Sequence, residues 1–340
     1  MNRPISMLQI ALAGLAFAAS QLSAQESEYQ LGRGFHLSDV VTVGGYFSTE
    51  YAVADDKNEF VLDDLAIMAY GDLSNRLSFL VEIESIDAYR NDFETDTTTT
   101  NFPPTIERLY GDYKFSDNLA VRFGKQITPI GYWNLQPINV LRETTSNPRY
   151  SRDLFPKFLT GVDVYGFTPF DDALTYHVYL QNGGDMDDNN INIKVDSHYG
   201  VALERELGSG WKAGGSAGRF TTRDAMQLQT RSRYFQLNSR YDNFRYSIIS
   251  EGMVNSIDAP GRASVRSSSI YLQGEYRFTP KHALISRVEH FRDSLLDKRE
   301  RIGVIGYSFR PVYPVSFKLE YQWHADTNEN QFLSSISILF

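Results

Sequence analysis

Cysteine is absent from this 340-residue chain, so neither a disulfide framework nor thiol chemistry is available to it. Basic residues are the minority, 33 Lys and Arg against 42 Asp and Glu, which argues against a nucleic-acid partner and its need for a basic face. Beyond the first two dozen residues no apolar run approaches the roughly 20 residues of a membrane helix, and mean hydropathy is −0.35. A helical membrane protein is thereby excluded. A membrane β-barrel is not, because only alternate residues of its strands meet lipid. Gly-x-Ser-x-Gly and phosphate-cradling glycine loops are also missing. The six histidines (His36, His177, His198, His282, His290, His324) show no metal-ligand spacing. No cofactor or metal is expected, and no enzyme.

What is present begins with an export signature. Arg3 precedes a short apolar core, Met7 to Ala19, and small residues lead to Ala24. We expect residues 1–24 to be a cleaved secretory signal and residues 25–340 to form one domain. Cleavage leaves 32 basic and 42 acidic residues, a net charge of −10.

From Val40 onward, period-2 alternation bounded by turn residues predicts about sixteen strands. They run near Val40–Val53, Asn58–Asp72, Arg76–Tyr89, Thr105–Phe115, Leu119–Ile127, Thr160–Pro169, Ala173–Asn182 and Ile191–Leu207. The series continues with Trp211–Thr222, Gln229–Tyr241, Phe244–Asn255, Val265–Phe278, Lys281–Arg292, Arg299–Arg310, Val315–Ala325 and Gln331–Phe340. Seven tight turns alternate with eight longer polar loops. Aromatics cluster where strands meet the tight turns, as at Tyr113 and Phe115, Tyr241 and Phe244, or Tyr276 and Phe278. Strands of about 10–13 residues, an aromatic girdle and the turn asymmetry specify an all-β, transmembrane, antiparallel up-and-down β-barrel. Its place would be the outer membrane of a Gram-negative bacterium, in contact with lipid and lipopolysaccharide.

Alternation also assigns faces. In the polar register fall Arg108, Arg122, Arg240, Arg245, Arg277, Arg287 and Lys318, with Glu82, Glu84, Glu204, Glu251, Glu275, Glu289 and Glu320. These are the expected lumen wall, since an arginine on the lipid face near the midplane costs roughly 2–4 kcal/mol. Charges of both signs imply a water-filled lumen.

One long segment, Thr128 to Leu159, breaks the alternation between the fifth and sixth strands. It carries Arg142, Arg149, Arg152 and Lys157 against Glu143 and Asp153, and these six are the candidate pore constriction. Its prolines at 129, 137, 148 and 156 favour an irregular path, and Tyr132, Trp133 and Tyr150 are placed to pack it on the inner wall.

The passage Arg122-Phe123-Gly124-Lys125-Gln126-Ile127-Thr128-Pro129-Ile130-Gly131 resembles the strand-into-loop passage of the phosphate-selective porin O and P family. The resemblance implies a sixteen-stranded, usually trimeric porin whose third extracellular loop folds inward. The ending Ile336, Ile338, Phe340 looks like the signal read by the barrel-assembly machinery. Phosphate-selecting members line the pore with a ladder of bases, whereas this wall carries as many acids as bases. The expected function is therefore passive diffusion of small hydrophilic solutes with a modest anion preference. A barrel enzyme of phospholipase or protease type, or a structural or adhesion barrel, stays open as an alternative. The loop Asp185–Asn190 with Asp196 imitates a calcium loop but lacks the glycine at its sixth position, and reads as a solvated acidic loop.

Overall fold

A chain of hairpins whose strands each carry one apolar and one polar face satisfies its backbone without an exposed edge only by closing on itself. The computed structural model, which describes residues 29–187, 192–223, 226–327 and 329–340, shows that closure. The expected signal segment lies outside the described residues, as do Asp188, Asn189 and Asn190 of the acidic loop.

The strands are β1 (Tyr29–Gln30), β2 (Gly34–His36), β3 (Thr42–Ala54), β4 (Lys57–Asp72), β5 (Leu77–Asp92), β6 (Thr97–Thr100), β7 (Thr105–Ser116), β8 (Leu119–Ile127), β9 (Phe158–Thr168) and β10 (Asp171–Asn182). They continue as β11 (Ser197–Gly208), β12 (Trp211–Arg223), β13 (Gln229–Asp242), β14 (Tyr246–Asp258), β15 (Val265–Thr279), β16 (His282–Asp293), β17 (Lys298–Val312), β18 (Val315–His324) and β19 (Gln331–Leu339). Neighbours in sequence pair antiparallel, and β19 pairs with β3 from Gln331↔Ala54 to Leu339↔Tyr46, sealing the barrel. β1 and β2 are a short N-terminal ribbon and β6 a flap on β5, which leaves the sixteen barrel strands that alternation predicts.

Three expectations need correction. The strand expected from Ile191 begins only at Ser197, because Ile193 and Val195 pack inward on the loop cluster instead of joining the sheet. The Thr-rich loop hides β6, registered Tyr89↔Thr100 to Asp92↔Thr97; four threonines in succession carry no period-2 signal. Arg245 lies exposed in the turn before β14 and is not part of a strand wall.

Tight turns lie at one end of the barrel and loops at the other. The turn joining β11 to β12 sets Gly208, Ser209 and Gly210 at φ of 82°, 52° and 84°, a left-handed path that glycine takes without Cβ cost. Beside the turns the aromatics form stacked pairs, with centroid distances of 4.7 Å for His282–Phe309 and 6.0 Å for Phe309–Phe317. Trp211–Tyr241 and Tyr246–Tyr276 extend the belt.

The faces alternate as read. On β18, Phe317, Leu319, Tyr321 and Trp323 are exposed outward, while Ser316, Lys318, Glu320 and Gln322 are buried inward. The lumen differs from the expected mixed-charge, water-filled tube along one side. Tyr179, Phe220, Tyr234, Ile249, Met253, Tyr271 and Phe291 point inward and pack with Ile130, Tyr132, Tyr150, Leu154, Phe155 and Leu159 of the long segment. The apolar core of this barrel lies inside it.

Candidate functional site

The long segment leaves β8 and returns to β9 through a closed base. The Thr128 amide donates to Lys157 O at 2.9 Å, the Thr128 hydroxyl to Pro156 O at 2.8 Å, and Asn134 Nδ2 to Thr128 O at 2.7 Å. Between these points lie only a 3-10 turn, Asn139–Leu141, and one helical turn, Tyr150–Asp153, as the four prolines require.

Wall residues from β14 to β19 hold one flank of the loop. Glu251 Oε1 accepts the Trp133 amide at 2.8 Å and the Tyr271 hydroxyl at 2.5 Å. Gly131 sits at φ 67°, and a Cβ there would lie 1.8 Å from Glu251 Oε2, so the backbone approaches this carboxylate as only glycine allows. Lys318 Nζ donates to Asn139 Oδ1 at 2.7 Å, and Arg310 donates to the carbonyls of Val140 and Arg142. Glu320 accepts the Thr145 amide at 3.0 Å and the Ser146 hydroxyl. Arg287, paired with Glu289 at 2.6 Å, donates to the Thr144 and Ser146 hydroxyls at 2.8 and 2.6 Å. Trp133 and Tyr150 stand against the Tyr271 ring at centroid distances of 6.5 and 5.9 Å.

The opposite flank of the loop borders a cavity of about 310 Å³. Glu50, Asp63, Asp64, Glu84 and Glu107 line it from β3, β4, β5 and β7; Arg142, Arg152, Asp153 and Lys157 line it from the loop. Positive charge thus stands on the loop and negative charge on the wall. The Arg142 guanidinium is fixed by Gln136 O at 2.6 Å and Asn147 Oδ1 at 2.7 Å, over the Trp133 ring. Lys157 Nζ reaches Glu107 at 3.4 Å, and Glu84 accepts the Tyr46 hydroxyl at 3.0 Å.

The six loop residues therefore divide. Arg142, Arg152, Asp153 and Lys157 meet at the cavity. Arg149 turns to the wall, where its Nε and Nη2 grip Glu300 at 2.8 and 2.9 Å and its amide donates to Glu289 at 2.8 Å. Glu143 is half-buried and is not among the cavity-lining residues. Arg149 and Glu300 are both largely buried, so a double-mutant cycle to alanine should give a coupling of about 1–2 kcal/mol in thermal unfolding in detergent. Additive losses would mean the pair does not pin the loop.

Among the expected wall residues, Arg108 pairs with Glu82, and Arg122 clasps Asp112 at 2.9 and 2.8 Å over the Tyr110 ring. Near the tight turns, Arg240 and Arg277 share Asp242, and Arg277 also takes Glu275 at 2.7 Å. These arginines are neutralised locally. Asp185 accepts the Thr160 hydroxyl at 2.6 Å and Asn192 Nδ2 at 3.2 Å, Asp187 accepts the Ile106 amide at 2.8 Å, and Asp196 pairs with Arg223 at 2.5 Å. The described carboxylates of the acidic loop are latches.

Sequence reading missed Glu50, Asp63, Asp64, Glu107, Glu300 and Arg310. Two register shifts account for three of them. The ladder slips between Leu62 and Asp64, and again opposite Glu82 and Ile83, so Asp63 with Asp64 and Glu107 with Arg108 both turn inward. Strict alternation would send one member of each pair into lipid. Two adjacent charges in mid-strand are the legible sign of such a bulge.

No protein-family model matches the chain, and no curated protein matches it. Its structure is similar to solved outer-membrane barrels. Over 88% of this chain and 97% of the other it superposes on OmpF of Salmonella typhi with a TM-score of 0.66 at 10% identity. The anion-selective porin from Comamonas acidovorans gives 0.63 at 13% identity, covering 88% of this chain and 99% of that one. The outer membrane channel DcaP of Acinetobacter baumannii gives 0.60 at 11%, covering 92% and 100%. The class defined by this fold is the closed, sixteen-stranded antiparallel barrel of the porin type.

Proposed function

We propose that the chain is an outer-membrane porin: a channel for passive diffusion of small hydrophilic solutes, exported by a cleaved signal at residues 1–24. One observation carries this reading. A loop fastened along one wall of a closed barrel borders a cavity faced by charged groups, bases on the loop and acids across from them, and we read that cavity as the narrow part of a passage. Opposed charges set a field across the passage that orients dipolar solutes, and the low-dielectric walls concentrate it. Assembly as a homotrimer, and insertion through the terminal Phe340 by the barrel-assembly machinery, belong to the same proposal. Purified protein should give stepwise conductance in planar bilayers; its absence would sink the channel reading.

The loop alone favours anions, but the lining of this cavity carries Glu50, Asp63, Asp64, Glu84, Glu107 and Asp153 against Arg142, Arg152 and Lys157. We therefore propose a weak cation preference. The phosphate-selective reading draws no support from the motif Arg122–Gly131 itself, since Arg122 is held by Asp112 and Lys125 lies beside Asp185 at 3.3 Å. Replacing Arg142, Arg152 and Lys157 by alanine should shift the reversal potential further toward cations. Changing Glu50, Asp63, Asp64 and Glu107 to their amides should shift it toward anions. Arg149→Ala, which frees Asp153 from a 3.4 Å ion pair, should move it only slightly toward cations, and a shift as large as that of Arg142→Ala would contradict this division of the loop.

A further inference from the structure

The outer face carries a feature that diffusion through the lumen does not use. At the loop end of β12 to β17, eight arginines, at positions 219, 223, 231, 233, 266, 292, 299 and 301, are exposed and lie in the outward register of their strands. Strands β3 to β10 place no arginine or lysine outward on that rim. Among the described residues, three of the eight have acidic partners: Arg223 with Asp196, Arg233 with Asp258 and Arg301 with Asp326.

Two cross-strand pairs match like charge with like. Arg219 stands directly opposite Arg233, and Arg292 opposite Arg299. Such pairs destabilise a sheet unless an anion bridges them. Arg231, two residues from Arg233, adds a third guanidinium to the first pair. With Ser197, Thr221 and Gln229 these three line a surface cavity of about 520 Å³, and Asp258, also on it, offsets one charge of the three.

Directly beneath, the small side chains of β12 form a shallow trough, into which Leu237 leans over Gly215. The outward residues of β12 below Arg219 are Ala217, Gly215 and Ala213, all small. They are flanked by Val201 and Leu203 of β11 and by Phe235 and Leu237 of β13, all four exposed. Arg219 is eight residues along β12 from Trp211 of the aromatic belt, or ~20 Å along the barrel axis at the usual tilt. That separation puts the Arg219 and Arg233 backbones ~5 Å below the upper edge of an apolar band about 25 Å tall, from which their long side chains reach headgroup level.

We infer that Arg219, Arg231 and Arg233, with the trough over Ala213, Gly215 and Ala217, form a binding site for a phosphorylated, multiply acylated lipid of the outer leaflet, of the lipid A type. The guanidiniums take a phosphate through charge-assisted, bidentate hydrogen bonds, and one acyl chain lies in the trough. The inference rests on the outer-membrane reading above and names its lipid partner.

The test is native mass spectrometry of the whole protein in detergent, titrated with bisphosphoryl lipid A and with the same lipid freed of its phosphates. Wild type should prefer the phosphorylated lipid by about tenfold or more, as expected for charged hydrogen bonds. R219Q/R233Q should abolish that preference, Ala217→Phe should weaken binding by filling the trough, and Arg245→Gln at the opposite rim should bind as wild type. Equal binding of both lipids, an unaffected R219Q/R233Q variant, or an equal loss in Arg245→Gln would each overturn the site. Conductance in a synthetic bilayer free of lipid A is read separately. Conductance without lipid preference overturns only the site, and lipid preference without conductance overturns only the channel.

Discussion

Replacing residues 129–156 by a short Gly-Ser turn should raise single-channel conductance several-fold and leave only a weak cation preference, since the wall acids then face a wide aqueous lumen. The base of the loop permits the excision, because Ile127 pairs with Phe158 and the Thr128 amide already meets Lys157 O at 2.9 Å. Barrels of sixteen strands are wide enough to hold an aqueous channel when nothing fills them. Here the filling is the loop itself, with Trp133, Tyr150, Leu154 and Phe155 all buried inside. Removing each costs roughly 1.5–3 kcal/mol of burial, so thermal stability in detergent should fall as conductance rises. The sheet should survive, since a closed barrel has no edge to fray. Conductance at the wild-type level, from a variant with a native-like circular dichroism spectrum, would show that the loop does not narrow the passage.

Glu251→Leu should lower thermal stability by about 3 kcal/mol or more and make the open channel noisy. The carboxylate is fully buried, and on one oxygen it gathers the Trp133 amide and the Tyr271 hydroxyl. Leucine leaves both donors buried without an acceptor, at roughly 1–3 kcal/mol each, and pushes its methyls toward the backbone at Gly131. The segment around residues 131–134 should then detach from β14 and move on the timescale of conduction. Glu251→Gln keeps an oxygen at the site and should show a smaller version of both effects. A quiet channel in Glu251→Leu would mean that the anchors at Glu320, Arg287 and Glu300 hold the loop without it.

The architecture was legible in the sequence because a barrel wall obeys a local rule. Neighbouring side chains on a strand point to opposite faces, so lipid outside and polar groups inside print a period of two on the chain. That rule placed sixteen strands and both faces of β18. It also located the third loop, as the one long stretch where the period fails. The rule has no access to contacts made across the lumen. Arg142 and Arg149 look alike as loop arginines, yet one borders the cavity and the other grips Glu300, 151 residues away in sequence. The inward aromatics Tyr234, Tyr271 and Phe291 belong to a core whose other half is the loop, and only the fold brings the halves together. Asp63 beside Asp64, and Glu107 beside Arg108, needed the register shifts before both members faced inward. By itself the sequence determined the barrel, the polarity of its faces and the place of its loop. The tertiary structure alone decided which charges face one another across the passage, because that pairing depends on how the loop lies against the distant wall.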